Sequence, residues 1–338
     1  MKPTDFSKSL TDFLSKYLPG ERGMSANTIN SYRNTFILFI GFVETQKNIH
    51  VNKLSLKDIT KDCIVEFLEW LQHERKCCDS TRNVRLAAIH SFFNFLQYEV
   101  PENLNEWQRI LSIKVKKTKK PTVHYLTIEG IKLLFMQPDL STKKGTRDLA
   151  MLALMYDAAA RVQEIIDLTA SSMRLIKPYT IKLVGKGKKA RIVPLMDQQV
   201  VHLKYYMEKN HLLEPHANMH PLFYNDRKEK LTRAGVYYIL KNYANSAREI
   251  DQKLIPEKIS PHSLRHSKAM HLLQAGVNLV YIRDILGHES VQTTEVYARA
   301  DSKQKREAIE KAYVEVIKKE EPIWANNDNL LEWLKNFH

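Results

Sequence analysis

The segment LGHESVQTTEVYARA, residues 286–300, contains a histidine and a tyrosine whose chemistry depends on the rest of the chain. His288 and Tyr297 lie nine residues apart, and Gly287 predicts the end of one helix before the next begins. A tyrosine has a pKa near 10, so its oxygen attacks phosphorus well only if a neighbouring base takes the proton. Without such partners, both side chains are more typical of a helix surface than of a catalytic site.

A second set of polar residues lies in ISPHSLRHSKAM, residues 259–270. Ser260 is a good N-cap and Pro261 suits the first helical position, which places His262 and Arg265 on one face of the first turn. A helix N-terminus carries free N–H groups and a partial positive charge, so backbone, imidazole and guanidinium could bind an anion together. The alternative is a surface histidine with an arginine in a salt bridge.

Two further cations lie upstream of this helix. Lys186 stands between Gly185 and Gly187 in VGKGKKAR, at the tip of a predicted hairpin, where it is either a solvated turn residue or a mobile cation for a phosphate. The turn lacks the G-x-x-x-x-G-K-[ST] pattern of a P-loop. Arg161 follows an apolar helix and precedes Glu164 by three residues, which predicts a buried ion pair that would also aim the guanidinium.

Together these residues predict an apparatus for cleaving a phosphodiester. The tyrosine oxygen would attack phosphorus, the arginines would bind the non-bridging oxygens, a neutral histidine (His262 or His288) would accept the tyrosine proton, and the lysine would protonate the departing sugar oxygen. No cluster of Asp and Glu indicates a two-metal nuclease site, so we expect neither a metal nor another cofactor. The predicted catalytic residues are Arg161, Lys186, His262, Arg265, His288 and Tyr297, supported by Glu164.

The composition indicates the class of partner. With 338 residues, the chain is long enough for two domains, and its net charge of +14 implies a polyanion, either nucleic acid or an acidic membrane surface. Apolar runs fall short of the roughly 20 residues that span a bilayer, and the N-terminus lacks the layout of a signal peptide, so we expect a cytoplasmic protein. Cys63, Cys77 and Cys78 are interpreted as reduced structural thiols.

Apolar spacing predicts a mainly α fold with a small β-sheet. Apolar residues recur every three or four positions through the first hundred residues, which indicates a helical bundle over 1–112. A lysine-rich segment, 113–122, has no apolar period and predicts a basic linker. Residues 123–338 combine helices with the hairpin YTIKLVGKGKKARIVPL and form the predicted catalytic domain.

Several basic or polar residues outside the catalytic set are candidates for DNA contact. Arg82 and Arg85 open a predicted helix, on the side opposite much of its apolar stripe, and the linker lysines could lie along a phosphate backbone. For each of them, an ordinary surface role is the alternative. The predicted DNA-binding residues are Arg33, Thr81, Arg82, Arg85, Lys117, Lys119 and Lys120.

The motifs ARVQE, GKGKKAR, HSLRH, LGH and TTEVYAR, in this order, resemble the tyrosine recombinase (phage integrase) family. The match uses six positions over about 140 residues, and NTINSYRNTFILFI and STRNVRLAAIHSFFNFL are similar to the family's helical, SAM-like core-binding domain. The resemblance implies two domains that form a C-shaped clamp on double-stranded DNA. It also implies a 3′-phosphotyrosyl intermediate, rejoining by a 5′-hydroxyl from another strand, and no need for ATP or metal.

The chain departs from the family pattern before Arg161 and follows it again in its C-terminal segment. Where the family has a glycine-containing triplet before the first arginine, this chain has Ala158, Ala159 and Ala160, so we expect a more helical turn there. The segment NLLEWLKNF has an apolar helical face, and residues of about 327–338 resemble the exchange helix that family members pass to a neighbouring subunit. The alternative is a helix docked on its own domain.

Several functions remain open within and beyond the resemblance. We expect a bacterial, nucleoid-associated recombinase that integrates, excises or transposes a mobile element. It would act as a homotetramer on DNA, with a dimer at each of two paired sites and with an accessory recombinase or directionality factor as a further partner. The nearest alternative is Xer-type resolution of chromosome or plasmid dimers. A type IB topoisomerase and a non-catalytic DNA-binding protein are the other two.

Overall fold

The computed structural model describes residues 3–118, 124–185, 187, 189–300 and 330–335, without the side chains at 299, 300, 330, 331 and 333. The chain divides into two compact units, residues 1–121 and 122–338. The division falls inside the segment 113–122, where we expect the linker.

The N-terminal unit is a bundle of helices around an aromatic core. Ser25 and Thr60 cap two of the helices, each by accepting a hydrogen bond from the backbone N–H three residues on. Phe13, Phe36 and Phe92 are fully buried and pack against one another with ring centroids 5.1–6.2 Å apart. The helices are α1 (Asp5–Asp12), a π-helix (Phe13–Glu21), α2 (Ala26–Lys47), α3 (Lys61–His73), α4 (Asp79–Glu99) and α5 (Leu104–Leu111).

The C-terminal unit has helices on a small antiparallel sheet, which confirms the expected fold class. Its described elements are α6 (Ile128–Phe135), α7 (Lys143–Asp157), α8 (Val162–Ile166), β1 (Met173–Arg174), β2 (Thr180–Val184), β3 (Ala190–Pro194), α9 (Asp197–Lys209), α10 (Arg233–Ile250), α11 (Pro261–Gln274), α12 (Leu279–Leu286) and α13 (Val291–Ala300). A short helix, Leu330–Lys335, lies within the expected exchange segment, whose other residues are outside the described ones. No helix among the described residues is long and apolar enough to cross a membrane.

The sheet has the order β1-β2-β3, and β2 with β3 forms the expected hairpin. The strand β1 has only two residues, so it shows no alternation of apolar and polar residues from which the sequence could have predicted it. Leu183 on β2 is paired with Arg191 on β3, and cross-strand partners lie on the same face of a sheet. Because Leu183 is fully buried, Arg191 points from this sheet into the interior.

Candidate active site

A tight turn between α7 and α8 presents Arg161. Ala159 adopts a left-handed conformation, with φ +46°, and the N–H groups of Ala159 and Ala160 donate back to the carbonyls of Tyr156 and Met155, both at 3.0 Å. This pair of bonds is the Schellman arrangement that ends helices. The expectation of a more helical turn is therefore wrong: the paired backbone groups and the complete burial of Ala159 offset the strain of an alanine at positive φ.

A buried carboxylate fixes Arg161 from one side. Glu164 is 4% exposed, and its Oε1 accepts a hydrogen bond from Arg161 Nη1 at 2.8 Å, which is the ion pair expected from the sequence. Its Oε2 accepts the backbone N–H of Arg161 at 2.8 Å. Arg191 donates to both carboxylate oxygens at 2.7 Å, in a bidentate pair. Glu164 thus holds two guanidiniums at once.

The ionisation of Glu164 follows from these contacts. Burial alone would raise the pKa of the carboxyl, but hydrogen bonds and charge from Arg191, with hydrogen bonds from Arg161, lower it to about 2. Arg191 is a residue that our sequence analysis missed. The available signal was its spacing of two from Val193 in ARIVPL, which places it on the inward face of the strand.

The C-terminal end of α12 binds three arginines through consecutive backbone carbonyls. Such an end carries a partial negative charge and free C=O groups, which suit guanidinium donors. Gly287 takes the left-handed conformation, with φ +61°, and a Cβ there would lie 3.0 Å from Arg191 Cδ. Both facts require glycine at this position. The pairs are Arg191 Nε with Ile285 O at 2.8 Å, Arg265 Nη2 with Leu286 O, and Arg161 Nη2 with Gly287 O at 3.1 Å.

Arg265 lies on α11 as the spacing predicted, because Ser260 and Pro261 begin this helix. Its side chain is 3% exposed, and Nη1 donates to the Ala159 carbonyl at 2.6 Å. Burial, then the charges of Arg161 and Arg191, lower its pKa to about 9, which leaves the guanidinium protonated at neutral pH. The left-handed turn at Ala159 and the C-terminal end of α12 therefore both fix the position of the Arg265 side chain.

His262 and His288 lie close to this charged cluster and are neutral at pH 7. His262 lies at the surface with its ring partly covered, and this partial burial, then the charges of Arg265 and Arg161, lower its pKa. His288 directly follows Gly287, and its Nδ1 lies 3.0 Å from Thr294 Oγ1. Burial and the same two arginines lower the pKa of His288 to about 4.

Tyr297, on α13, is 1% exposed and packs in an apolar cluster with Ala159, Met270 and Leu286. Its oxygen lies 2.8 Å from Nδ1 of His266, a residue absent from our predicted site. Burial raises the pKa of Tyr297, and the positive charges of Arg265 and Arg161 only partly offset this rise.

The partner of the tyrosine thus differs from the expected one. We expected His262 or His288 as proton acceptor, but among the described residues the hydrogen bond of Tyr297 is with His266. The signal for His266 was its position four residues after His262, which places both on one face of α11 with rings 6.2 Å apart.

Lys186 lies outside the described residues. The neighbouring Gly185 is described, and its N–H donates to the Lys189 carbonyl at 2.8 Å across the hairpin. A Cβ at Gly185 would lie 3.1 Å from Glu164 Oε1, so the base of the hairpin adjoins the arginine cluster.

Two of the predicted DNA-binding arginines belong partly to the fold of the N-terminal unit. Arg82 is only 7% exposed, which corrects our expectation that it faces away from the core. Arg85 is half-buried and donates from Nη1 to Ser31 O at 3.2 Å and to Thr35 Oγ1 at 3.1 Å. A 21-residue helix between neighbours buries more of its surface than one apolar stripe indicates.

The other candidates in this unit are more open. Arg33 and Lys117 are exposed and Thr81 is half-buried, whereas Lys119 and Lys120 lie outside the described residues. Their contact with DNA stays a prediction. Within the residues that the structure describes, no group of three or more His, Cys, Asp or Glu side chains could hold a metal ion.

Two family models match the chain. The phage integrase family matches residues 107–304, and the phage integrase N-terminal SAM-like domain matches residues 10–99. A protein of Sinorhizobium fredii named as the integrase/recombinase y4rC is 34% identical over 311 residues, 92% of each chain. Tyrosine recombinase XerD of Listeria monocytogenes is 31% identical over 291 residues, which cover 85% of this chain and 92% of that one.

Solved structures show the same fold. XerH site-specific recombinase in a post-cleavage complex with a palindromic difH substrate has a TM-score of 0.66 and 25% identity, over 87% of this chain and 82% of that one. The Tn1549 transposon integrase with transposon right end DNA has a TM-score of 0.68 at 14% identity, over 89% and 98% of the two chains. The chain belongs to the phage integrase family of tyrosine recombinases, enzymes that cleave and rejoin DNA in site-specific recombination.

Proposed function

We propose that Tyr297 is the nucleophile of this recombinase and that the arginine cluster binds the scissile phosphate of a mobile element's DNA. The observation that supports this most strongly is the charge of the cluster. Arg161 and Arg191 bind the carboxylate of Glu164 and Arg265 lies close by, so the described residues of the cluster have an excess of two positive charges. A partly buried excess of this kind favours the binding of an anion, and a DNA phosphate provides one.

The arginines divide the work in this scheme. Arg161 and Arg265 contact the non-bridging phosphate oxygens, while Arg191 is fully engaged by Glu164 and Ile285 and positions the others. A guanidinium whose rotamer is fixed before DNA binds loses little conformational entropy on binding. It can therefore stabilise the charge of the five-coordinate phosphorus in the transition state without rearranging.

The cleavage step forms one bond and breaks another. Tyr297 Oη gives its proton to a neighbouring neutral histidine and bonds to phosphorus, the bond from phosphorus to the 5′ oxygen breaks, and the departing oxygen takes a proton from Lys186. His288, fixed by Thr294, contributes a further hydrogen bond to the phosphate. A 3′-phosphotyrosyl link preserves the energy of the broken ester, so a 5′-hydroxyl from another strand can rejoin it without ATP.

Assembly follows from two paired sites. We infer a homotetramer on double-stranded DNA, a dimer per site, in which a C-terminal segment of about 327–338 passes to a neighbour. An accessory recombinase or a directionality factor would set the direction of the reaction. The transposon integrase among the fold relatives, solved with transposon right end DNA, supports a role in integration, excision or transposition.

Xer-type dimer resolution is the second candidate, favoured by the 31% identity to a XerD recombinase. The two candidates differ in their DNA. An element-borne enzyme recombines element ends with other sequences, whereas a dimer-resolving enzyme recombines two copies of one chromosomal or plasmid site. Sequencing the junctions formed in cells that express the protein separates them.

The cleavage test uses a nicked duplex. The Tyr297→Phe variant first selects a preferred duplex from random sequences, and a nick placed near the cleavage point then prevents rejoining. We expect the wild-type chain to form a covalent protein–DNA adduct that Tyr297→Phe does not form. Tyr281→Phe is the matched control, since Tyr281 is an exposed tyrosine on α12, and it should form the adduct as wild type does.

The outcomes separate the remaining alternatives. An adduct that persists in Tyr297→Phe would disprove the assignment of the nucleophile. If the wild-type chain forms no adduct on the selected duplex, the non-catalytic alternative holds. Exchange of strands between two duplexes identifies a recombinase, whereas resealing of the same strand alone identifies topoisomerase activity.

A further inference from the structure

We propose that His266 is a catalytic residue, the group that takes the proton from Tyr297 as its oxygen attacks phosphorus. This inference rests on the proposed function, because it gives a role to a neighbour of the proposed nucleophile. The carrying observation is the contact of 2.8 Å between His266 Nδ1 and Tyr297 Oη. That distance is within the range in which a base can accept a proton directly.

The position of His266 is set by α11. It lies one turn after His262 on the same helix face, and its ring is 5.7 Å from the ring of Tyr297. Neighbouring Arg265 is bound to the Ala159 carbonyl. The imidazole is half-buried and the tyrosine is fully buried, so the two groups meet in a site that excludes much of the solvent.

The surroundings keep His266 neutral and so able to accept a proton. Burial, then the neighbouring His262 and Arg265, lower its pKa to about 4. At pH 7 the neutral imidazole has a lone pair on one ring nitrogen. We assign the hydrogen to Nε2, so that Nδ1 accepts the hydrogen bond of the phenol. A phosphate bound by the arginines would offset the charge of Arg265 and make the imidazole more basic as the reaction begins.

The step balances without any further reactant. The proton moves from Tyr297 Oη to His266 Nδ1 while the bond from oxygen to phosphorus forms. The bond from phosphorus to the 5′ oxygen breaks, and that oxygen takes a proton from Lys186 under the proposed function. On rejoining, the attacking 5′-hydroxyl gives up its proton to the lysine, and the phenolate leaving phosphorus recovers its proton from His266.

A second histidine of α11, His271, also contacts a tyrosine, Tyr156 of α7, but this pair does not adjoin the arginine cluster. His271 Nδ1 lies 2.7 Å from Tyr156 Oη, a contact as short as the proposed catalytic one. Burial, then the nearby carboxylate of Asp157, raise the pKa of Tyr156 to about 12, so its surroundings oppose ionisation. Burial also raises the pKa of Tyr297, but there the charges of Arg265 and Arg161 oppose the rise. The second pair is therefore a matched control.

The test measures single-turnover adduct formation on the nicked duplex. His266→Asn keeps an acceptor oxygen near the Nδ1 position but cannot take the proton, and His266→Ala removes both functions. We expect both variants to cleave at least about 100-fold more slowly than wild type. His271→Asn should cleave at the wild-type rate. Mobility shifts and thermal unfolding show whether each variant binds DNA and folds.

A second substrate locates the proton transfer. Replacing the bridging 5′ oxygen with sulfur gives a leaving group that needs no proton, so a defect in the acid disappears while a defect in the base persists. We expect the His266 variants to stay slow on this substrate. Added imidazole should speed His266→Ala, because a free base can enter the vacated space.

Three results would overturn the assignment. Wild-type cleavage by His266→Asn would mean that only the hydrogen bond is needed. Rescue of the His266 variants by the sulfur substrate would move the residue's role to the leaving group. If the wild-type chain itself forms no adduct, the proposed function fails and this assignment fails with it, whereas normal cleavage by the variants leaves the proposed function intact.

Discussion

Among the described residues of the C-terminal unit, two buried carboxylates bind arginine, and their surroundings differ in charge balance. Glu164 contacts Arg161 and Arg191, with Arg265 close by, so positive charge is in excess. Asp148 accepts two hydrogen bonds from Arg147, Nε at 2.9 Å and Nη2 at 2.7 Å, so one charge of each sign is present. The two clusters have the same chemistry, but only the first remains short of negative charge.

The second cluster is complete within the protein. Tyr243 donates to the other oxygen of Asp148 at 3.0 Å, and Arg147 Nη1 donates to the Tyr224 carbonyl at 3.0 Å. Burial raises the pKa of Asp148, opposed by Arg147 and by the tyrosine hydrogen bond, whereas the pKa of Glu164 is lowered to about 2. From this comparison we expect an arginine–carboxylate cluster to bind a ligand where its charges do not balance.

The largest expected effect concerns acid stability. The folded pKa of Glu164 is about 2 and its ordinary value is 4.5. Its stabilisation is thus fully present above pH 4.5 and is lost as pH falls towards 2, and the shift corresponds to about 3 kcal/mol of unfolding free energy. Glu164→Gln should be less stable than wild type by about this amount at pH 7, with the difference vanishing near pH 2.

Urea unfolding at several pH values measures this difference, and Asp148→Asn is its control. The folded pKa of Asp148 is raised, so its ionised form contributes no stability that acid would remove. The Asp148→Asn variant should keep the acid-induced loss seen in wild type. A constant gap between wild type and Glu164→Gln from pH 7 to pH 2 would show that the carboxylate charge is not what stabilises the cluster.

The intermediate effect concerns anion binding. An unbalanced cluster should bind inorganic phosphate, and a ligand at ten times its Kd stabilises the folded state by about 1.4 kcal/mol. We expect phosphate to raise the thermal midpoint relative to chloride at equal ionic strength, and Arg265→Ala to abolish the increment. Arg147→Ala should lower the midpoint but keep the increment. If only Arg147→Ala lost the increment, phosphate would bind at the Asp148 cluster and not at the Glu164 cluster.

The smallest effect concerns the backbone that separates the clusters. Asp148 lies within α7, whereas Arg161 follows the left-handed turn at Ala159 that ends this helix. In Ala159→Gly, relief of strain of about 1–2 kcal/mol is offset by a lost buried methyl and by backbone entropy, so stability should stay within about 1 kcal/mol of wild type.

The matched change at the neighbouring alanine should behave differently. Ala158 has φ −81° and gains nothing from glycine, so Ala158→Gly should lose about 1 kcal/mol. Denaturant midpoints of the two variants compare them directly. Equal losses in both would indicate that the left-handed turn stores no strain.

Local signals in the sequence predicted the parts of the site that neighbouring residues determine. Ser260 and Pro261 begin α11 because cap and proline preferences act within one turn. Arg161 pairs with Glu164 because residues three apart at a helix start face each other. The hairpin also follows from its own alternating residues.

Tertiary partners decided the parts that the sequence did not predict. Arg191 joins the arginine cluster because Glu164, 27 residues earlier, accepts hydrogen bonds from both of its terminal nitrogens. His266 is a candidate for the site because its ring contacts Tyr297, 31 residues later. Ala159 is left-handed, and its carbonyl accepts a hydrogen bond from Arg265, 106 residues later. This tertiary contact stabilises a conformation that alanine ordinarily avoids. No pattern within one segment contains these distances.

The end of α12 makes the site behave as a single part. One eight-residue helix supplies the three carbonyls that hold the three arginines, and α13 with Tyr297 begins only a few residues later. A displacement of this helix would move the three arginines and the tyrosine together. We therefore expect intermediate arrangements, with some groups aligned and others not, to be disfavoured, and DNA binding to switch the site to its cleavage-competent form in an all-or-none manner.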